Sequence, residues 1–245
     1  KKTLKLNKAK FTPWLFVLPG TIFILLFVYI PIIQNFYYSL FKMNSYNPNV
    51  IFIGFKNYID ILHDPIFYTA IKNNTWYAII SLICQVGFGL VLAIILESKF
   101  ATILNKFFRT IYFLPSLISI TAVGLIWYFV YNPNLGMLSA IIRKIYSSDF
   151  DFAWLGNPKT AIFAIIAMSQ WHHTGYIMML LIVAIQKIPE ELYEVAKIEG
   201  ASEFQKAIYI TIPQIQGQLL LTCIITVVGA FKLFTEVFIT TRGGP

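Results

Sequence analysis

Two groups of residues carry side chains capable of chemistry in surroundings that otherwise offer little. The first is Ser169, Gln170, Trp171, His172, His173 and Thr174, in the middle of an apolar run from Ala161 to Ile185. Polar residues in such runs are costly and tend to face a cavity or a partner helix. Consecutive histidines point about 100° apart on a helix, which makes them poor joint metal ligands. The expectation is that one lines a path while the other packs against a neighbour. In a later apolar run, Lys232 and Glu236 are four residues apart and are expected to pair along the helix. A paired lysine suits a neutral solute, and a free one suits an anion. Ser116 follows Pro115 in a third run, although a serine in a membrane helix commonly bonds its own backbone. His63 has no second ligand at metal spacing, so no metal site is expected.

The second group is the stretch EELYEVAKIEGASEFQKAIYITIP, Glu190 to Pro213, with five glutamates and two lysines between apolar runs. Pro189 suits the first helical position, where its missing N–H costs nothing. Glu190 and Glu191 then favour the positive end of the helix dipole. Ile188, Leu192, Val195 and Ala196 recur at helical spacing and form a narrow apolar stripe with charges opposite. Gly200 suits a left-handed cap. Ser202 with Gln205 forms a capping-box pattern for a second helix, whose apolar face is Phe204, Ala207, Ile208 and Ile212 and which Pro213 closes. A helix, glycine, helix element with an apolar stripe and a charged rim suits docking into a partner's groove. The same pattern also serves a plain connector between spans.

The elements that position both groups follow from composition. The chain has 245 residues, 58% hydrophobic, 17% aromatic and only 12% charged, against about 25% charged in soluble domains. Five runs reach the roughly 20 residues that a bilayer requires: Phe11 to Phe41, Trp76 to Leu96, Ile111 to Val130, Ala161 to Ile185 and Leu219 to Thr241. Lys1, Lys2, Lys5, Lys8 and Lys10 precede the first run, so the positive-inside rule places the N-terminal tail, 1–10, in the cytoplasm. Segments 97–110 and 187–213 then share that side, which holds eleven Lys/Arg against seven outside. The net charge of +8 is thereby read as topology rather than as nucleic-acid binding. The first run contains Pro19 and Pro31, lacks a cleavage motif and is read as a retained helix.

Cys84 and Cys223 lie inside runs and are read as buried apolar residues. Outside the bilayer, 42–72 is expected to turn at Asn47 and Pro48. It then forms a surface helix through Phe55, Tyr58, Ile59 and Leu62. After Asn132, Pro133 and Gly136 a second short helix is expected, ending near Ser147 and Ser148. Gly87 and Gly89 read as close-packing positions. There is no phosphate loop, H-E-x-x-H or G-x-S-x-G. An integral-membrane enzyme or sensor would require a catalytic constellation, and none is found. Energised work would draw on another chain. No repeat or linker divides the sequence, so 1–245 is expected to be one transmembrane domain. It lacks an initiator Met and stops after an outward-going span, and is expected to be incomplete.

Glu194, Ala196, Gly200, Ala201, Ile210 and Pro213 fit the pattern Glu-x-Ala, Gly-Ala, Ile-x-x-Pro. This resembles the cytoplasmic EAA loop of bacterial ATP-binding-cassette importer permeases, with Val195, Glu199 and Ile212 as conservative departures. The segments FIGFKNYIDILHDPIFYTAIKNNT, FFRTIYFLPSLIS, WHHTGYIMMLLIVAIQKIP and TRGGP extend the resemblance to the carbohydrate-uptake branch and its maltose-transporter F subunit type. The resemblance implies an all-α polytopic bundle of the type I importer kind, with a sixth span after Pro245. It implies a second homologous permease, a cytoplasmic ATPase dimer that uses ATP and Mg, and an extracellular solute-binding protein. The permease itself binds no cofactor and hydrolyses nothing. Its coupling residues would be Leu192, Glu194, Val195, Ala196, Gly200, Ala201, Ile210 and Pro213, and motion would be rigid-body alternating access in the bacterial plasma membrane. Sugar contacts are implied at Trp171, His173 and Gly175, and around Lys232 with Phe231 and Leu233. The solute would be a sugar or oligosaccharide, or an anion such as glycerol phosphate or an acidic sugar.

Overall fold

The computed structural model describes residues 8–44, 47–98, 102–145 and 151–244, so most of the lysine-rich tail, together with Ser147, Ser148 and Pro245, lies outside the described residues. It divides into two compact units, 1–69 and 70–245.

In the first unit, α1 (Lys8–Ile24) runs through a π-helical turn, Leu25–Tyr29, into α2 (Ile30–Ser39). Pro31 explains the widened turn: it has no N–H, and its ring would press on the carbonyl four residues back. Pro13–Ser39 forms 27 residues of apolar helix, long enough to cross a membrane. Where a turn is expected at Asn47 and Pro48, the chain instead forms an antiparallel hairpin of β1 (Phe41–Asn44) and β2 (Asn47–Phe52), with Phe41 opposite Phe52. Those two rings meet edge-on, 5.2 Å apart. The expected short helix is α3 (Lys56–Leu62). It is tied back to α2 by Asn57, which donates to the Ser39 carbonyl at 2.8 Å, and by a Ser39–Tyr58 hydroxyl pair at 2.6 Å. His63 is occupied by the Ile59 carbonyl at 2.8 Å.

The second span begins earlier than its apolar run. It comprises α4 (Pro65–Ser81), a π turn (Leu82–Phe88) and α5 (Gly89–Glu97), 33 residues in all. Lys72, Asn73, Asn74 and Thr75 lie in its first turns, which is why hydropathy alone starts it at Trp76.

The third span is not the single straight helix expected over Ile111 to Val130. Helix α6 (Thr102–Phe113) leads into a 3₁₀ turn, Leu114–Leu117, and the chain bends by 96° into α7 (Ile120–Val130). Pro115 cannot sustain the helical hydrogen-bond ladder, and Ser119 restarts it by accepting from the Ala122 amide. A turn built on Asn132, whose side chain accepts from the Asn134 and Leu135 amides at 3.0 Å each, leads to α8 (Met137–Ile145).

Helix α9 (Ala161–Ile185) is the axis of the second unit, burying Met168, Ile177, Met178, Leu181 and Ile182 almost completely. Around its far half packs a core with Val86, Leu92, Ala93, Leu96 and Ile215. Gly89 lets α5 lie close, since a Cβ there would sit 3.4 Å from the Met178 amide nitrogen, whereas Gly87 has only the Leu82 carbonyl near, at 3.8 Å. Of the two close-packing glycines expected, Gly89 alone has a facing helix.

The chain then forms α10 (Glu190–Ile198) and α11 (Glu203–Lys206). A π turn, Ala207–Thr211, and α12 (Ile212–Gln214) follow, and a 75° bend at Ile215 opens α13 (Gln216–Phe231). The helix continues one residue beyond Pro213. The fifth span is also divided, because Lys232 and Phe234 leave helical geometry before α14 (Thr235–Thr241).

Candidate functional site

The polar residues of α9 meet α4, the π turn Leu82–Phe88, α13 and α14 around a cavity of about 310 Å³. Its walls include Tyr77, Gln85, His173, Tyr176, Thr226 and Glu236, with Ile177, Ile225, Gly229 and Ala230 between them. Tyr77 reaches it from α4 and shares a short hydrogen bond with Ser169. Gln85, Tyr77 and Thr226 are each about 5% exposed or less. The Thr226 hydroxyl is buried with no hydrogen-bond partner among the described residues, an unpaired group against a cavity wall where a bound hydroxyl would satisfy it.

The two histidines take different surroundings. His173 faces the cavity with its Nε2 4.0 Å from the Glu236 carboxylate. His172 is buried, its Nε2 3.0 Å from the Ile118 carbonyl and its Nδ1 3.3 Å from His173 Nε2. A carbonyl only accepts, so His172 Nε2 carries the proton, and its Nδ1 accepts from His173. Hydrogen bonds therefore link His173 through His172 to Ile118 at the bend between α6 and α7, while the Glu236 carboxylate lies beside the same His173 Nε2, beyond hydrogen-bond reach. No group of three metal-ligating side chains occurs among the described residues.

The Lys232–Glu236 pair does not form. Lys232 lies at the break after α13 with φ −103°, so the two residues do not share a helix. Lys232 is exposed and outside the cavity wall, and Glu236 turns to His173 instead. Phe231 is exposed, while Leu233 packs against Tyr77, Ile166 and Ala230. The implied role of Gly175 has a packing alternative, because a Cβ there would collide with the Tyr112 carbonyl and lie 3.0 Å from Phe113 Cα. Trp171 stands edge-on to Trp127 at 5.8 Å. Gln170 donates to the Ser81 hydroxyl at 3.1 Å across to α4, and Thr174 and Ser116 donate to their own helix carbonyls. Tyr77, Gln85, Tyr176 and Thr226 escaped the sequence reading. Gln85, a lone amide in LICQVGF, was the available signal.

The charged element folds as its pattern requires. Gly200 adopts φ +77°, and its amide donates to Lys197 while that of Ala201 donates to Ala196, the paired bonds of a Schellman cap. Ser202 and Gln205 exchange both capping-box bonds. Pro189 stands one position before the first helical residue. The element has an inner face, where Tyr193 and Ile210 pack on the core of Ile188 and Ile215 and the Tyr193 hydroxyl meets Thr211 Oγ1 at 2.9 Å. On its outer face Val195, Ile198 and Phe204 are 59%, 85% and 75% exposed. Leu192 is half exposed and Ala196 partly covered, so the outward stripe is shifted toward Ile198. Glu194 is exposed on the same helix, and Ala201 and Pro213 flank the second one.

Residues 85–244 match the family described as binding-protein-dependent transport system inner membrane component. YurN, a probable ABC transporter permease protein of Bacillus subtilis, is 47% identical over 98% of this chain and 82% of its own length. MalF, a trehalose/maltose transport system permease of Thermococcus litoralis, is 29% identical over 99% of this chain and 80% of its own. A chain of the bacterial alginate ABC transporter, solved with its alginate pentasaccharide-bound periplasmic protein, superposes with a TM-score of 0.80 at 23% identity, over 98% of this chain and 79% of that one.

Proposed function

Because this chain belongs to the binding-protein-dependent transport system inner membrane component family, a membrane transport component and not an enzyme, we propose that it is the permease subunit of an ATP-driven sugar or oligosaccharide importer. Support for the sugar comes from the saccharide named for its Thermococcus relative and from a cavity of hydroxyl, amide and aromatic groups suited to sugar hydroxyls and ring faces.

The observation that carries the mechanism is the two-faced element from Glu190 to Gln214. Its inner face is fixed to the core, while Val195, Ile198 and Phe204 stand exposed on the other side. A rigid, capped helix pair with an uncovered apolar face is what a groove in a cytoplasmic ATPase dimer would seize. Closure of that dimer on ATP and Mg would drive the bundle between inward-open and outward-open forms by rigid-body motion. A second homologous permease would complete the pathway, and an external solute-binding protein would deliver the sugar. The lysines preceding the first span favour a cytoplasmic N-terminus, which puts the element on the ATPase side. The chain itself would bind no cofactor.

The test places Val195→Asp in the complex co-expressed with its ATPase, second permease and binding protein and reconstituted in liposomes. A charge on an exposed side chain leaves insertion and thermal unfolding unchanged, whereas ATP-driven uptake falls about tenfold or more, since burying an unpaired charge weakens an interface by several kcal/mol. Uptake equal to that of the unaltered complex would refute the docking role.

A further inference from the structure

The cavity carries one ionisable acid and no strong base. Among its walls Glu236 contributes a carboxylate with a side chain only 12% exposed, and none of the lining residues is Lys or Arg. The basic groups near Glu236 are the His173 imidazole, at 4.0 Å, and the His172 imidazole behind it, to which His173 donates. Lys232, the residue that would have welcomed an anion, stands outside the cavity on the break after α13. The other polar groups are neutral: the Tyr77 and Thr226 hydroxyls, the Tyr176 phenol and the Gln85 amide. Thr226 has a buried hydroxyl without a partner among the described residues.

We infer that the cavity selects uncharged saccharides, and that Glu236 is the residue that turns acidic ones away. An uncharged sugar offers hydroxyls, which Glu236 accepts while Thr226 gains the partner it lacks. A uronic acid brings a second carboxylate beside the first with no cation to separate them, and like charges at a desolvated site repel strongly. His173 lies beside the carboxylate with its Nε2 proton directed to His172. This inference rests on the sugar-importer reading and chooses between its neutral and anionic forms.

The test uses the assembled transporter in lipid nanodiscs without its binding protein, so that discrimination belongs to the permease. Neutral di- and trisaccharides and their counterparts carrying one uronic acid are titrated by tryptophan fluorescence, with stimulation of ATP hydrolysis as a second readout. The unaltered complex should prefer the neutral member of each pair by about tenfold or more. Glu236→Gln should narrow that ratio to near unity, Glu236→Asp should keep it, and Thr226→Val should weaken the neutral sugar several-fold without changing the ratio. Equal or tighter binding of acidic sugars to the unaltered complex, or a ratio untouched by Glu236→Gln, would overturn the inference and leave the sugar reading standing. Failure of every saccharide to bind or stimulate would instead overturn the sugar reading, and the inference with it.

Discussion

Replacing Gly175 by alanine tests the packing of α9 against α6 at its tightest point. The added Cβ would collide with the Tyr112 carbonyl and lie 3.0 Å from Phe113 Cα. Both obstacles are backbone, so no side chain can rotate away and the two helices must part. Overpacking costs about 1–3 kcal/mol where side chains can yield, and rigid neighbours place this site at the upper end. Alanine recovers about 1 kcal/mol of helix propensity over glycine, leaving a net loss of about 2 kcal/mol, a factor of about 30 in the folded-to-unfolded ratio. Two other glycines calibrate the figure within the same bundle. A Cβ at Gly89 would meet the Met178 amide nitrogen at 3.4 Å, an ordinary contact, so Gly89→Ala should be close to neutral. At Gly87 the nearest atom is 3.8 Å away, so Gly87→Ala should hold or raise stability. Denaturant unfolding of the three variants in one detergent, followed by circular dichroism and tryptophan fluorescence, measures the series. If Gly175→Ala unfolds at the same denaturant concentration as Gly87→Ala, the packing argument fails, and the solute-contact role implied for Gly175 becomes the better account.

Two further predictions concern the ends of the helices. Arg109 pairs with Glu97 and donates to the Leu96 carbonyl at 2.9 Å, while Gln186 reaches the same carboxylate at 3.1 Å, so α5, α6 and α9 are tied together there. Because both charged side chains are about a fifth exposed, Arg109→Ala should lower stability by about 1–3 kcal/mol, less than for a dry pair, and 0.5 M salt should shrink the difference. In the helix pair from Glu190 to Gln214, Ser202→Ala removes the capping-box acceptor and should cost about 1 kcal/mol locally. Amide exchange should then quicken over Glu203–Lys206 but not in α10, which is closed separately at Gly200; equal quickening in both would show that they unfold as one.

That element was the most legible part of the sequence because what builds it is local. The Gly200 cap and the Ser202–Gln205 box each span a few residues, and no distant partner is needed to form them. The membrane runs were legible as lengths but not as shapes. Pro115 was a visible signal for the bend before α7, yet the break at Lys232 carries neither proline nor glycine, and an apolar run reads alike whether straight or divided. The cavity was half legible. The Ser169 to Thr174 cluster announced α9, whereas Tyr77 reads as an aromatic at the edge of its run, Gln85 is a single amide and Thr226 one of two threonines in α13, and three spans must pack before they face one space. The hairpin at Phe41–Phe52 depends on cross-strand pairing, which no single-strand pattern in that asparagine-rich segment encodes.

The two breaks, one before α7 and one before α14, are linked by packing. Beyond them α7 and α14 lie against each other, with Gly124 admitting Ile239 so closely that a Cβ would sit 3.0 Å from its methyl. Both also pack on α9, where Val237 joins the cluster of Val123, Ile165 and Met168, so the two broken segments are held by the same central helix. Glu236 and Thr226 reach the cavity from opposite sides of the 232–234 break, so the spacing between the carboxylate of one and the hydroxyl of the other is fixed by how that break is packed and not by the pitch of any one helix.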